Sequence, residues 1–254
     1  MRGVLALVRS ECTKLVTTRS IGVLALLTVL GTWPMAWTNA ASGVGIASDD
    51  PRLFSSEPVP LEYQGFDMAG FGAVLVVVLA ALWAGSEYGG AGQIRTTVLA
   101  MPQRLRVFVV KALLLAVVVA VIAFVTMWGA LVITHAAGET GVDPGRLTPE
   151  IGMNLGGVTV AWTLTALIAF SVGVIARTSI LPLILVVPFV IGVGDFLSGL
   201  SDAARYLPVA AGASMYSDIA SGIHLDPIIG GLVQGVWAVA LLAVAAVVFV
   251  RRDV

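Results

Sequence analysis

Residues 108–134 read FVVKALLLAVVVAVIAFVTMWGALVIT, a run whose only charged residue is Lys111, near its start. About 20 apolar residues are needed to cross a ~30 Å hydrocarbon core, so this stretch is long enough to span a bilayer. Five further runs share its character: Ile21 to Ala40, Met68 to Ser86, Asn154 to Ala176, Ile180 to Gly199 and Ile228 to Val250. None of those five carries a Lys or Arg deep inside. Lipid offers the backbone no hydrogen-bond partner, and nothing here alternates in the ~10-residue pattern of barrel strands, so the spanning form is helical. The expected fold is therefore all-α: one polytopic transmembrane domain over residues 1–254, with six spans and both termini on one side.

The charges say which side. Arg2, Arg9, Lys14, Arg19, Arg95, Arg104, Arg106, Lys111, Arg177, Arg251 and Arg252 fall on one face of this topology, eleven of the fourteen basic residues. Only Arg52, Arg146 and Arg205 fall on the other. Positive residues near span ends stay in the cytoplasm, which places both termini inside and makes this a multi-pass protein of the cell membrane. The acids run the opposite way, with only Glu11, Glu87 and Asp253 inside. The net charge of −1 hides this layout, and neither argues for a nucleic-acid partner.

Ahead of the first span, Val4, Leu5, Val8, Cys12, Leu15 and Val16 recur at helical spacing, with Arg9, Ser10, Thr13, Lys14 and Thr17 on the other side. Residues 2–19 are thus expected to form an amphipathic helix in the membrane interface. Small residues at 38–42 raise the question of signal cleavage, but the run before them is long for an h-region and nearly twenty residues precede it. The lone Cys12 is expected to act as a small apolar residue facing a reducing compartment.

The outer loops 42–67 and 135–153 are rich in Gly, Pro and acids and read as irregular connectors. Residues 200–227 differ, because Tyr206 to Met215 is too apolar for a free loop and too short to span, which fits a re-entrant segment. Trp33, Trp37 and Trp128 toward the outer ends and Trp83 near an inner end read as an aromatic belt. Pro182 and Pro188, followed by Gly192 and Gly194, predict a kink or local unwinding in the fifth span, a candidate gating element. Gly152 with Gly156, and Gly231 with Gly235, have the spacing that lets helices approach closely.

Between the second and third spans, residues 87–106 form a discrete intracellular element. A glycine cluster precedes a helix-capable run, Gln93 to Ala100, and Met101-Pro102 opens the next helix. Glu87 follows the end of the second span, where the helix dipole disfavours a carboxylate, so a cation such as Arg95 or Lys14, or a basic partner surface, is expected beside it.

Two stretches resemble a known family. They are Glu87-Tyr88-x-x-x-Gly92-x-Ile94-Arg95-Thr96-Thr97-x-Leu99-Ala100-x-Pro102-x-Arg104 and Ser10-Glu11-x-Thr13-Lys14-Leu15-x-Thr17-x-Arg19-Ser20. Together with the six-span layout they look like the membrane subunit of type-2 ABC exporters. The resemblance implies that an N-terminal interface helix (Glu11, Lys14, Arg19) and a coupling helix (Glu87, Tyr88, Gly92, Ile94, Arg95, Thr96, Pro102, Arg104) dock onto a separate ATPase. It further implies a second permease subunit, identical or homologous, with spans two and five lining a pathway for export. Gly89-Gly90 stand where relatives often carry a basic residue.

The chain has no G-x-x-x-x-G-K-[ST] stretch, so no cofactor is expected on it and ATP would be bound by the partner. An intramembrane enzyme is disfavoured: Ser214 lies in Gly212-Ala-Ser-Met-Tyr216, which is not a nucleophile elbow. His135, His224 and Asp226 match no metal-ligand spacing, so no metal is expected. The alternative is a secondary, ion-coupled transporter, for which Asp195 and Gln234 are the nearest candidates in spans otherwise poor in charge.

Overall fold

The computed structural model describes residues 2–43, 60–66, 68–85, 88, 103–138, 143, 145–218, 222 and 224–251. The described residues form helices and turns without strands. The helices are α1 (Arg2–Thr17), α2 (Arg19–Gly43), α3 (Ala69–Gly85), α4 (Arg104–Ala137), α5 (Pro149–Ala176), α6 (Ile180–Pro188), α7 (Gly194–Leu200), α8 (Pro208–Ala213) and α9 (Pro227–Arg251). Short 3-10 turns cover Leu61–Tyr63 and Asp202–Tyr206, and a π turn, Phe189–Val193, joins α6 to α7.

Four of these, α2, α4, α5 and α9, are long and apolar enough to cross a membrane. The other two expected spans are shorter: α3 has 17 residues, and the apolar stretch from α6 through the π turn ends at Val193. At 1.5 Å per residue α3 rises about 26 Å, whereas α4, with 34 residues, rises about 51 Å. The extra turns of α4 continue beyond residues 108–134 in both directions, so Lys111 sits well inside a helix instead of at its tip.

Local chemistry fixes several ends. Thr148 Oγ1 accepts from the Ile151 N–H at 3.3 Å and Pro149 takes a first-turn position, so α5 begins in what the sequence suggests is loop. Arg177 adopts a left-handed conformation (φ 56°) that ends α5. Asp226 Oδ1 accepts from the Ile228 N–H at 3.0 Å and starts α9.

The α5 helix is the most buried of the long helices and packs against α3, α4, α6, α8 and α9, while α2 packs on α3 and α4. The helices alternate in direction. Phe108 at the start of α4 stacks against Phe170 and Phe249 at the ends of α5 and α9, with centroids 5.7 and 5.8 Å away. At the other end of the bundle Asn154 Nδ2 donates to the Glu62 carbonyl, just ahead of α3, at 2.8 Å. The first set lies at what we call the basic end, where Arg19, Arg104, Arg177 and Arg251 cluster, and the second at the acidic end.

Several tryptophans and glycines behave otherwise than their spacing suggests. Trp37 and Trp128 are exposed, as belt residues should be, but Trp33 lies against Gly129 and donates from Nε1 to the Thr126 carbonyl at 3.1 Å, joining α2 to α4. Trp83 is buried. Gly152, Gly156 and Gly235 face open space, whereas Gly231 lies close against Met215 Sδ, and Gly157 and Gly230 take the tightest contacts, with the backbone carbonyls of Met215 and Ala211. The apolar stretch expected as the fifth span is broken, and the break is at Gly192 (φ 117°). Pro188 ends α6, while Pro182 lies in its first turn, where an absent N–H costs no helix bond.

Candidate functional site

The α1 helix buries Leu7, Glu11 and Leu15, one residue per turn along a single stripe, and leaves Arg9, Ser10, Thr13 and Thr17 exposed. Glu11 is 0 % exposed, so the buried stripe of this amphipathic helix runs through a carboxylate. Burying a charge is costly unless it is paired. Glu11 has two cations: Lys14 Nζ lies 2.9 Å from Oε1, and Lys111 Nζ, on α4, lies 2.6 Å from Oε2. Burial pushes the Glu11 carboxyl toward a higher pKa, but the nearby charges and hydrogen bonds of Lys111 and Lys14 outweigh it and hold the group below its ordinary value.

Lys111 is itself buried and stands 4.8 Å over the Trp83 ring of α3, so one ammonium ties α1, α4 and α3 together. The Phe108, Phe170 and Phe249 cluster closes the same end. Tyr88, just past α3, is half-buried and its ring lies 5.9 Å from the Arg177 guanidinium, linking the chain just after α3 to the α5–α6 turn. Arg104 Nη1 reaches the Val250 carbonyl at 3.5 Å, and Arg19 is exposed at the start of α2. Of the expected docking residues, Glu11, Lys14, Arg19, Tyr88 and Arg104 therefore gather at the basic end. Glu87, Gly92, Ile94, Arg95, Thr96 and Pro102 lie outside the described residues.

Toward the acidic end the bundle holds a half-open cavity of about 720 Å³ between α3, α5, the π turn, α8 and α9. Its walls are largely aromatic and aliphatic, including Phe66, Phe71, Val74, Trp162 and Ile191. Tyr63, Asp218 and His224 belong to the segments outside the long helices that line it. Burial, together with the negative charges of Asp218 and Glu62, raises the Tyr63 phenol above its usual pKa. Ser214 is no nucleophile here: it is buried, donates to the Ala210 carbonyl at 3.3 Å and accepts from the Leu225 N–H at 3.0 Å.

Sequence reasoning missed the partnership of Glu11 with Lys111. The available signal was Lys111 itself, the one basic residue inside an apolar run, which calls for an acid at its depth. The family profile described as ABC-2 family transporter protein matches residues 7–194, from within α1 to the first residue of α7. No curated protein matches the chain.

Proposed function

The chain belongs to the ABC-2 transporter family, the membrane component of an ABC-type transport system, and from this we propose that it is the permease half of an ATP-driven exporter. A separate ATPase subunit docks beneath it on the 87–106 loop and on α1. Two permease subunits, identical or homologous, form the pathway in the cell membrane, with both termini cytoplasmic. Closure of the ATPase dimer pushes on the loop and on α1, and the bundle passes between inward- and outward-favouring arrangements.

The observation that best supports this reading is the anchoring of α1 to the bundle. A helix that merely floated in the interface would bury apolar side chains in lipid and keep its carboxylate in water. Here Glu11 is held by Lys111 of α4, so displacement of α1 is transmitted to the long helices. An ion-coupled transporter would be better served by a titratable group at mid-depth. The buried polar residue facing α5 there is Gln234, which does not titrate.

The test is co-purification with the ATPase. Glu87→Ala and charge reversal at Arg95 should lower complex recovery and transport-coupled ATP hydrolysis while insertion stays normal. Unchanged recovery and coupling in both variants would remove the docking assignment. Labelling of a cysteine placed at Thr96 from outside intact cells would reverse the orientation.

A further inference from the structure

The half-open cavity toward the acidic end has a polar mouth and an apolar interior. Tyr63, Ser217, Asp218 and His224 line it from the segments outside the long helices, and all four are half-buried, so they keep surface that a ligand can meet. Among the described residues that line it, Asp218 is the one carboxylate and none is Lys or Arg. Tyr216, also half-buried and also lining the cavity, has its ring centroid 6.3 Å from that of Phe66. Phe66 follows Tyr63 by three residues and Asp218 follows Tyr216 by two, so this ring contact brings two phenols and a carboxylate together at the mouth. The raised pKa of Tyr63 agrees: beyond burial, its causes are the negative charges of Asp218 and Glu62, which therefore act at the same place.

A carboxylate beside aromatic rings is an environment for a cation. Ring faces attract an ammonium electrostatically, and a carboxylate in a cleft with low-dielectric walls draws positive charge without needing an open hydrogen-bond position. An anion would be repelled by Asp218 and Glu62 alike. Deeper in, Phe71 and Ile191 are exposed and line the cavity with Val74, and the volume of about 720 Å³ suits a small organic molecule. We infer that this cavity binds an amphipathic organic cation, its ammonium head at the mouth beside Asp218 and the Tyr63 and Tyr216 rings, its apolar body along Phe71, Val74 and Ile191. That such a cation is cargo rests on the exporter reading, since α3 and the π turn belong to the spans expected to line the pathway. Its binding by the chain alone does not.

The test uses the full chain without the ATPase in dodecyl maltoside micelles, photolabelled with an octyltrimethylammonium carrying a diazirine at the far end of its chain. Unlabelled octyltrimethylammonium, octan-1-ol and octane-1-sulfonate serve as competitors, matched in tail and differing in charge. Saturable labelling of peptides containing Phe71, Val74 or Ile191 is expected, with the cation competing about three- to tenfold better than the alcohol, the combined worth of a partly solvated ion pair and a cation–π contact, and the sulfonate worst. Asp218→Asn should reduce that preference and Asp218→Asn with Glu62→Gln should abolish it, while Asp218→Glu should keep it. Asp202→Asn, at the same end but away from this cavity, removes the same charge from the exposed surface and should change nothing. Unsaturable labelling, equal competition by cation and alcohol, or a preference that survives the double variant would each overturn the proposal. Loss of the preference in Asp202→Asn would also overturn it, by assigning the effect to general surface charge. Binding that persists where ATPase recovery fails would sink the exporter reading alone, and lost binding beside intact coupling would sink this one alone.

Discussion

Glu11 Oε2 and Lys111 Nζ lie 2.6 Å apart although 100 residues separate them in the chain, and both side chains are buried. Removing one partner leaves an uncompensated charge in a low-dielectric setting, which costs about 3–5 kcal/mol. Replacing both by apolar residues of similar size is often close to neutral. Glu11→Ala should lower unfolding stability in mixed micelles by that amount and Lys111→Ala by less, because Lys14 still pairs with the carboxylate, and Glu11→Leu with Lys111→Met should recover most of the loss. Strictly additive losses in this cycle would show that the two residues do not act as a pair.

The same pair sets a pH dependence. The folded Glu11 pKa lies below its ordinary value of 4.5, so its stabilisation is fully present above about pH 4.5 and is lost as pH falls through the lower folded value. Hydrogen exchange of residues 2–17 should therefore be flat from neutral pH to about 5 once corrected for intrinsic rates, and should rise below that. In Glu11→Gln this acid step should vanish. Its persistence there would assign the titration to another group.

Two adjacent glycines should answer oppositely. A Cβ at Gly157 runs into the Met215 backbone carbonyl, which cannot swing aside, whereas one at Gly156 meets open space. Gly157→Ala should cost about 1–3 kcal/mol, and Gly156→Ala should stabilise by up to about 1 kcal/mol through helix propensity. Equal thermal shifts in the two variants would contradict the packing of α8 on α5.

At Gly192 the constraint is conformational. Space is open around it, but its φ of 117° is one that L side chains rarely adopt. Gly192→Ala should destabilise by about 1–3 kcal/mol. Pro182→Ala should cost the helix no hydrogen bond, because the position lies in the first turn of α6. A larger thermal shift from Pro182→Ala than from Gly192→Ala would move the break away from the π turn.

Helical membrane architecture was legible because hydropathy is a one-dimensional signal. The long runs that became α2, α4, α5 and α9 needed no tertiary information. What failed to show were relations set by rotation about a helix axis. Glu11 sits among polar neighbours in sequence, yet i, i+4 spacing from Leu7 and to Leu15 puts it on the buried stripe, which the positions of Lys111 and Lys14 make tolerable. Trp33 resembled an interface anchor until its contact with Gly129 defined it as a packing residue. The break after α6 was signalled by Pro182, Pro188, Gly192 and Gly194 together, but spacing alone did not say that Gly192 among them carries the dihedral.

The bond between residues 11 and 111 also imposes an order on biogenesis. The carboxylate leaves the ribosome long before Lys111 exists, and until α4 has been made and inserted Lys14, on the same helix, is the one of its two cations that can pair with it. Helix α1, translated ahead of α4, thus reaches its final seat only after α4 does, and a nascent chain truncated ahead of residue 111 should leave α1 unseated in the water-facing layer.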